Sequence, residues 1–165
     1  MLSLIRQALI RCNMAIRKIV QQGDPVLRKK SFEVTDFGAK THQLIDDMRD
    51  TLIKAEGAGL AAVQVGVLRR IFIVMVDEGY FEFVNPEIIK TQGTQDGAEG
   101  CLSVQGKYGQ VQRPKKVTIK AQDRFGKPFK LVAEDFFARA ICHENDHLDG
   151  ILYIDKATSI EVTEN

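Results

Sequence analysis

Residues 41 to 56, THQLIDDMRDTLIKAE, place Leu44, Ile45, Met48, Leu52 and Ile53 three and four positions apart, the spacing that gathers side chains on one face of a helix. Thr41 suits the N-cap, and Gly57 suits the end. The period then changes. RRIFIVMVD and YFEFVNPEII are apolar, β-branched runs separated by DEGY, which predicts two strands joined by a turn. In KVTIKAQDRFGKPFKLVAE, Val117, Ile119 and Ala121 alternate with polar residues, a turn follows between Arg124 and Lys127, and Phe129 and Leu131 resume the alternation. A β-hairpin is expected there. Helical spacing returns in EDFFARAICHENDHLDG, with acids at its start and Gly150 past its end. Strands followed by a late helix predict an α+β fold. No repeat, low-complexity tract or linker interrupts the chain, so a single domain is expected from Met14 to Asn165.

Composition narrows the classes of function. A chain of 165 residues that is 44% hydrophobic can bury a real core. Its 23 basic and 22 acidic residues leave a formal charge of +1, so no electrostatic case exists for a nucleic-acid groove or an anionic membrane surface. Cys12, Cys101 and Cys142 are odd in number and lack C-x-x-C spacing, which suggests neither a disulfide framework nor a zinc ribbon. No apolar run approaches the ~18 residues of a membrane span. A reducing cytoplasm is the expected location, and no residue pattern specifies an oligomer. The first 13 residues, MLSLIRQALIRCN, carry two arginines, no acids, and Leu2, Ile5 and Leu9 at helical spacing. They read as an extension ahead of the domain; an organelle presequence would have a similar composition.

The densest chemistry lies in CHENDH, residues 142 to 147. His143 and His147 are four apart on the predicted helix, so both imidazoles can reach one atom while Glu144 stands beside them. A random chain of this length would contain H-E-x-x-H roughly once in several hundred trials at average residue usage. A catalytic metal commonly takes three protein ligands, so the third ligand decides the class. Metzincin-type proteases continue to a third histidine, but here Gly150 matches and Tyr153 does not. Thermolysin-like enzymes use a glutamate on a following helix. Glu161 and Glu164 lie instead in a polar tail with too little sequence around them for such a helix. The upstream candidates are His42, Cys12, Cys101 and the acids. Cys101 stands out in AEGCLSV, where Gly100 admits unusual backbone and a thiolate would be a strong ligand; the alternative is a small buried hydrophobe. Cys142 is turned about 100° from His143 on the helix and is expected to be such a hydrophobe.

Three stretches together resemble the peptide deformylases: GAGLAAVQ at 57 to 64, EGCLS at 99 to 103, and HENDH at 143 to 147, in the family's order and at about its separations. The resemblance runs from about residue 15 to 157. It implies antiparallel or mixed β-sheets packed around a central C-terminal helix that carries H-E-x-x-H. It also implies Cys101, His143 and His147 as ligands of one divalent metal ion per chain, Fe2+ in the first place and Zn2+, Ni2+ or Co2+ as alternatives. Glu144 would be the general acid/base, with Gln64 and the Leu102 backbone N–H as oxyanion donors. The implied reaction removes the N-formyl group from the initiator methionine of new polypeptides, at the ribosome or after release, and yields formate.

These residues make chemical sense in those roles. Metal-bound hydroxide would attack the formyl carbon, Gln64 and Leu102 would stabilise the negative oxygen, and Glu144 would carry the water proton to the leaving amine. Gly57 and Gly59 would let the substrate pair as an added strand, or would simply end the helix. Phe136 and Ala140 share the stripe of His143 and His147, and are expected in the core first and in a pocket wall second. Glu99 and Arg113 would form an ion pair bracing the Cys101 loop, or stand apart as surface charges. Asp146 would orient a ligand histidine or face solvent. Ala58, Gln105 and Cys142 depart from the family's usual residues, and Gln105 in place of proline predicts a mobile loop over QGKYGQVQRP. The few residues after YIDKA predict none of the long C-terminal helix that some members carry. Two other readings keep the histidines: a peptidase with a different third ligand, and a non-catalytic binder of formylated peptides.

Overall fold

A computed structural model describes residues 15–163; the predicted extension over residues 1–13 lies outside them. Two helices and eight strands follow in the order α1 (Ala39–Ala55), β1 (Gly59–Ala61), β2 (Ile71–Val76), β3 (Gly79–Gln92), β4 (Gln95–Cys101), β5 (Val104–Arg113), β6 (Lys116–Gln122), β7 (Pro128–Glu134), α2 (Asp135–His147) and β8 (Ser159–Val162). The strands form a five-stranded sheet, β1-β2-β3-β6-β7, and a three-stranded sheet, β4-β5-β8. Every strand pairing in both sheets is antiparallel. The α+β expectation holds, with the H-E-x-x-H helix α2 packed between the sheets.

The periodicities account for the parts they predicted. β2 is buried along its whole length, as an apolar run without alternation requires, because α1 covers one face and α2 the other. Leu44, Ile45, Met48 and Leu52 of α1 pack on Ile71, Ile73 and Met75, while Phe72, Val74 and Val76 meet Phe137, Ala138 and Ile141 of α2. Both predicted hairpins are present, β2–β3 across Asp77 and Glu78 and β6–β7 across residues 123–127.

Other boundaries moved for local reasons. Helix α1 begins at N-cap Gly38, because the Thr41 hydroxyl donates instead to the Asp36 carbonyl at 2.7 Å. It ends at Glu56, which takes the left-handed conformation at φ 55°, rather than at Gly57. The expected mobile loop over 105–114 is mostly strand β5, held by β4 on one side and β8 on the other. Its glycines hid the alternation of buried Val104, Gly109, Val111 and Arg113. Strands β1, β4 and β8 were also not foreseen. Each is short or glycine-rich, or carries its apolar residues outward. The segment before α1 joins the two sheets, since Val20 N–H donates to the Gln64 carbonyl at 2.8 Å and Gln22 N–H to the Ser103 carbonyl at 2.7 Å.

Candidate active site

Cys101 ends β4, where the chain reverses through Leu102 and Ser103 into β5. This turn faces the last two turns of α2. Cys101 Sγ and one ring nitrogen each from His143 and His147 all lie within 4.8 Å of one another. The sulfur is 3.4 Å from His147 Nε2. A tetrahedral metal with a sulfur ligand at about 2.3 Å and a nitrogen ligand at about 2.0–2.1 Å sets those two atoms about 3.5 Å apart, so the donor set fits such an ion. Both histidines are buried, and the His147 Nδ1 atom has no hydrogen-bond partner.

His143 is oriented from behind. Its Nδ1 is 2.8 Å from Glu99 Oε2, which leaves Nε2 as its donor toward the cluster. Glu99 is itself 5% exposed and each of its oxygens has two partners. Arg113 Nε and Arg139 Nη1 donate to Oε1 at 2.8 and 2.9 Å, while Arg113 Nη2 at 3.0 Å shares Oε2 with His143. Arg139 Nη1 also donates to the carbonyls of Val111 at 2.9 Å and Gly97 at 3.3 Å, tying the small sheet to the helix. Burial opposes charge on Glu99, but its bonds to His143 and Arg113 prevail and hold the carboxyl at about 2. Burial likewise opposes charge on His143. Without a metal, the neighbouring Cys101 sulfur and Glu99 carboxylate overcome that cost and raise the imidazole to about 10. His147 shifts down, first through burial and then through the charge of His143.

The Glu99–Arg113 pair is thus a buried bidentate bridge rather than two surface charges. Removing one partner of a buried pair typically costs about 3–5 kcal/mol, because the other charge is stranded. With Arg139 still bonded to Glu99, Arg113→Met is expected to lose about 3 kcal/mol at the low end of that range. Urea unfolding of parent and variant at the same saturating metal concentration would measure it. A loss below about 1 kcal/mol would be the size of an exposed pair and would count against this account.

Glu144 is 4% exposed, and its Oε2 accepts no hydrogen bond. Burial raises its carboxyl to about 7, the range a proton carrier needs near neutral pH. Gly59 makes room for it: a Cβ on that residue would lie 2.3 Å from Glu144 Oε1 and 2.7 Å from its Cδ. Gln64, 1% exposed, stands in the turn after β1. Ala61 N–H donates to its Oε1 at 2.8 Å, which turns Nε2 toward Cys101 Sγ at 3.4 Å and Ser103 Oγ at 3.1 Å.

A cleft of about 450 Å³ opens over this group, and Gly57, Gly59, Leu102, Phe136 and Ala140 all line it. Phe136 corrects the expectation of a core position. It is 57% exposed, because its stripe of α2 faces the cleft while Phe137 and Ala138 of the same turn face the large sheet; Ala140, one turn further on, lines the cleft but is buried. Asp146 contacts neither histidine; it accepts from Arg113 Nη1 at 2.6 Å and from Lys156. Cys142 is buried as expected, and burial pushes its thiol up to about 11. His42 lies elsewhere, with Nε2 2.8 Å from the Arg124 carbonyl. Sequence reasoning overlooked Arg139, although it sits four residues before His143 and therefore on the same helical face.

One sulfur and two imidazoles able to share an ion, a buried carboxyl and amide beside them, and an open cleft above are the parts of a mononuclear metallohydrolase centre. The family model for polypeptide deformylase matches residues 16–163. The peptide deformylase of Caldicellulosiruptor bescii is 55% identical over 143 residues, covering 87% of this chain and 86% of that protein. That of Thermoanaerobacter pseudethanolicus is 51% identical, covering 87% and 91%. Among solved structures, a peptide deformylase from Legionella pneumophila superposes with a TM-score of 0.85 at 44% identity, covering 87% of each chain. One from Synechococcus elongatus, in complex with actinonin, gives 0.84 at 35% identity, covering 87% of this chain and 79% of that one. The chain belongs to the polypeptide deformylase family, and it is a hydrolase of that kind. No described helix is long and apolar enough to cross a membrane.

Proposed function

We propose that this enzyme hydrolyses the N-formyl group from the initiator methionine of nascent polypeptides in the bacterial cytoplasm, with Cys101, His143 and His147 holding one divalent ion, Fe2+ in the first place. The observation that carries the reading is the meeting of these three donors with Glu144 and Gln64 in one cleft. When bound, the ion supplies Lewis acidity, acidifying water and polarising the formyl oxygen. Glu144 takes a proton from the attacking water and delivers it to the departing amine. Gln64 Nε2, locked by the Ala61 bond to the other end of its amide, donates to the formyl oxygen as it gains charge, together with the Leu102 N–H. β1 is the edge strand of the large sheet and Gly57 and Gly59 line the cleft, so the outer edge of β1 beginning at Gly59 can accept the peptide as an added strand. Phe136 and Ala140 form the apolar wall for the methionine side chain.

Formate release from formyl-Met-Ala-Ser, by protein prepared without oxygen and loaded with ferrous iron, tests the assignment. Release of formate with no cleavage of unformylated Met-Ala-Ser is expected. Peptide-bond cleavage without formate would establish the peptidase reading instead. Because Glu144 rests on Gly59, Gly59→Ala is expected to leave metal content unchanged and to lower kcat by about 10²-fold, the cost of an ångström-scale misplacement of a reacting group. A variant with unchanged kcat would show that the position of Glu144 does not control the reaction.

A further inference from the structure

The ladder between β4 and β5 skips. Glu99 pairs with Gly109 and Cys101 pairs with Val104, so Gly100 alone stands opposite residues 105 to 108. This bulge, with Gly106 at φ +71°, lines the cleft through Gln105, Lys107 and Tyr108. Having lost its partners on the β4 side, it is held from the outer side. Tyr153 Oη donates to the Lys107 carbonyl at 2.8 Å, and Thr163 N–H donates to the Gly106 carbonyl at 2.9 Å. Strand β8 pairs Val162 with Lys107 and Glu161 with Tyr108.

Tyr153 reaches this place from the site itself. It is 1% exposed, and its ring stacks on His143 with centroids 6.0 Å apart and planes inclined by 22°. Gly109 leaves the path open, since a Cβ there would lie 3.2 Å from Tyr153 Cε2 and 2.8 Å from Ala157 Cβ. On the opposite face, the Tyr108 ring covers Gly100, where a Cβ would stand 2.8 Å from Tyr108 Cε1. The bulge is therefore ordered by contacts from the last part of the chain, and its free face looks into the cleft.

We infer that Tyr153, together with the β8 segment, is a positioning residue that holds residues 105 to 108 as the cleft wall for the peptide beyond its formylated methionine. The inference rests on the deformylase reading above. It touches no reacting atom and acts on how longer substrates bind. The hydroxyl, not the ring, carries this role, so Tyr153→Phe isolates it while keeping the stack on His143. Thr163→Pro removes the second support, the bond to the adjacent Gly106 carbonyl, at an exposed residue away from the core.

The experiment compares parent, Tyr153→Phe and Thr163→Pro, all loaded with ferrous iron. The first readout is kcat and KM on formyl-Met-Ala-Ser and on formyl-methioninamide, which ends before the wall. The second is hydrogen exchange of segment 104–109. In both variants, KM for the tripeptide should rise roughly three- to tenfold, the size of one lost hydrogen bond, with kcat, bound metal and KM for the amide unchanged. Exchange in 104–109 should quicken while that of α1 stays constant. Unchanged exchange would overturn the inference, as would a KM that rises equally for both substrates. If the parent releases no formate, the deformylase reading fails and takes the substrate role of the wall with it. The exchange result would then still report separately whether Tyr153 orders the segment.

Discussion

Glu144→Gln is expected to lower kcat for formate release by roughly 10²–10⁴-fold, the usual contribution of a positioned acid/base, while one metal ion per chain is retained. Glutamine fills the same space against Gly59, so the cleft keeps its shape. The carboxyl is not one of the three clustered ligand atoms, and its Oε2 has no hydrogen-bond partner to lose. Burial already disfavours the charged form, raising the carboxyl to about 7, so a neutral amide in its place should not destabilise the fold. The loss should fall on proton transfer alone. Formate assays beside metal analysis of the same samples would measure it, and a kcat within a few-fold of the parent would remove Glu144 from the mechanism.

Cys101→Ala is expected to abolish activity by a different route, through loss of the metal. Two imidazoles remain, but the sulfur, 3.4 Å from His147 Nε2 and within 4.8 Å of the His143 nitrogen, is gone. Affinity should fall by more than the roughly 10- to 100-fold that accompanies loss of an outer partner of a ligand, because a proposed direct ligand is removed. Fold stability in the absence of metal should change little, since Cys101 is only partly buried and small. Metal content after gel filtration, and competition with a chelator of known affinity, would read the effect. Full retention of one metal per chain would point to a third ligand other than Cys101 and favour the peptidase reading. With Glu144→Gln, the pair separates holding the ion from using it.

The sequence reading succeeded where one local pattern sufficed. Both helices, the β2–β3 and β6–β7 hairpins and the α+β class follow from apolar spacing, which depends only on residues a few positions apart. It failed where partners were distant or unpatterned. The Thr41 hydroxyl was a sound N-cap until Asp36 offered a carbonyl. Strand β5 read as a loop because its glycines interrupt the alternation and its support comes from β4 and from β8, whose residues lie far along the chain from it, as Val162 does from Lys107. Phe136 shares a helical stripe with buried residues, yet that stripe lines a cleft rather than the large sheet, which only the packing of α2 decides.

By itself, the sequence determined that His143 and His147 share one face of a helix with Glu144 beside them, since 3.6 residues per turn brings positions 143 and 147 to nearly the same angle. Its three short stretches also carried the family resemblance. Tertiary structure alone decided that Cys101, more than forty positions upstream, meets those histidines, and that Glu99 and Arg113 form a buried bridge behind His143 rather than a surface pair. It likewise decided that the Tyr153 hydroxyl ends at Lys107. Helical periodicity is a property of the local backbone, whereas a meeting of donors from β4 and α2 exists only after two sheets have closed on one helix and removed water from between them.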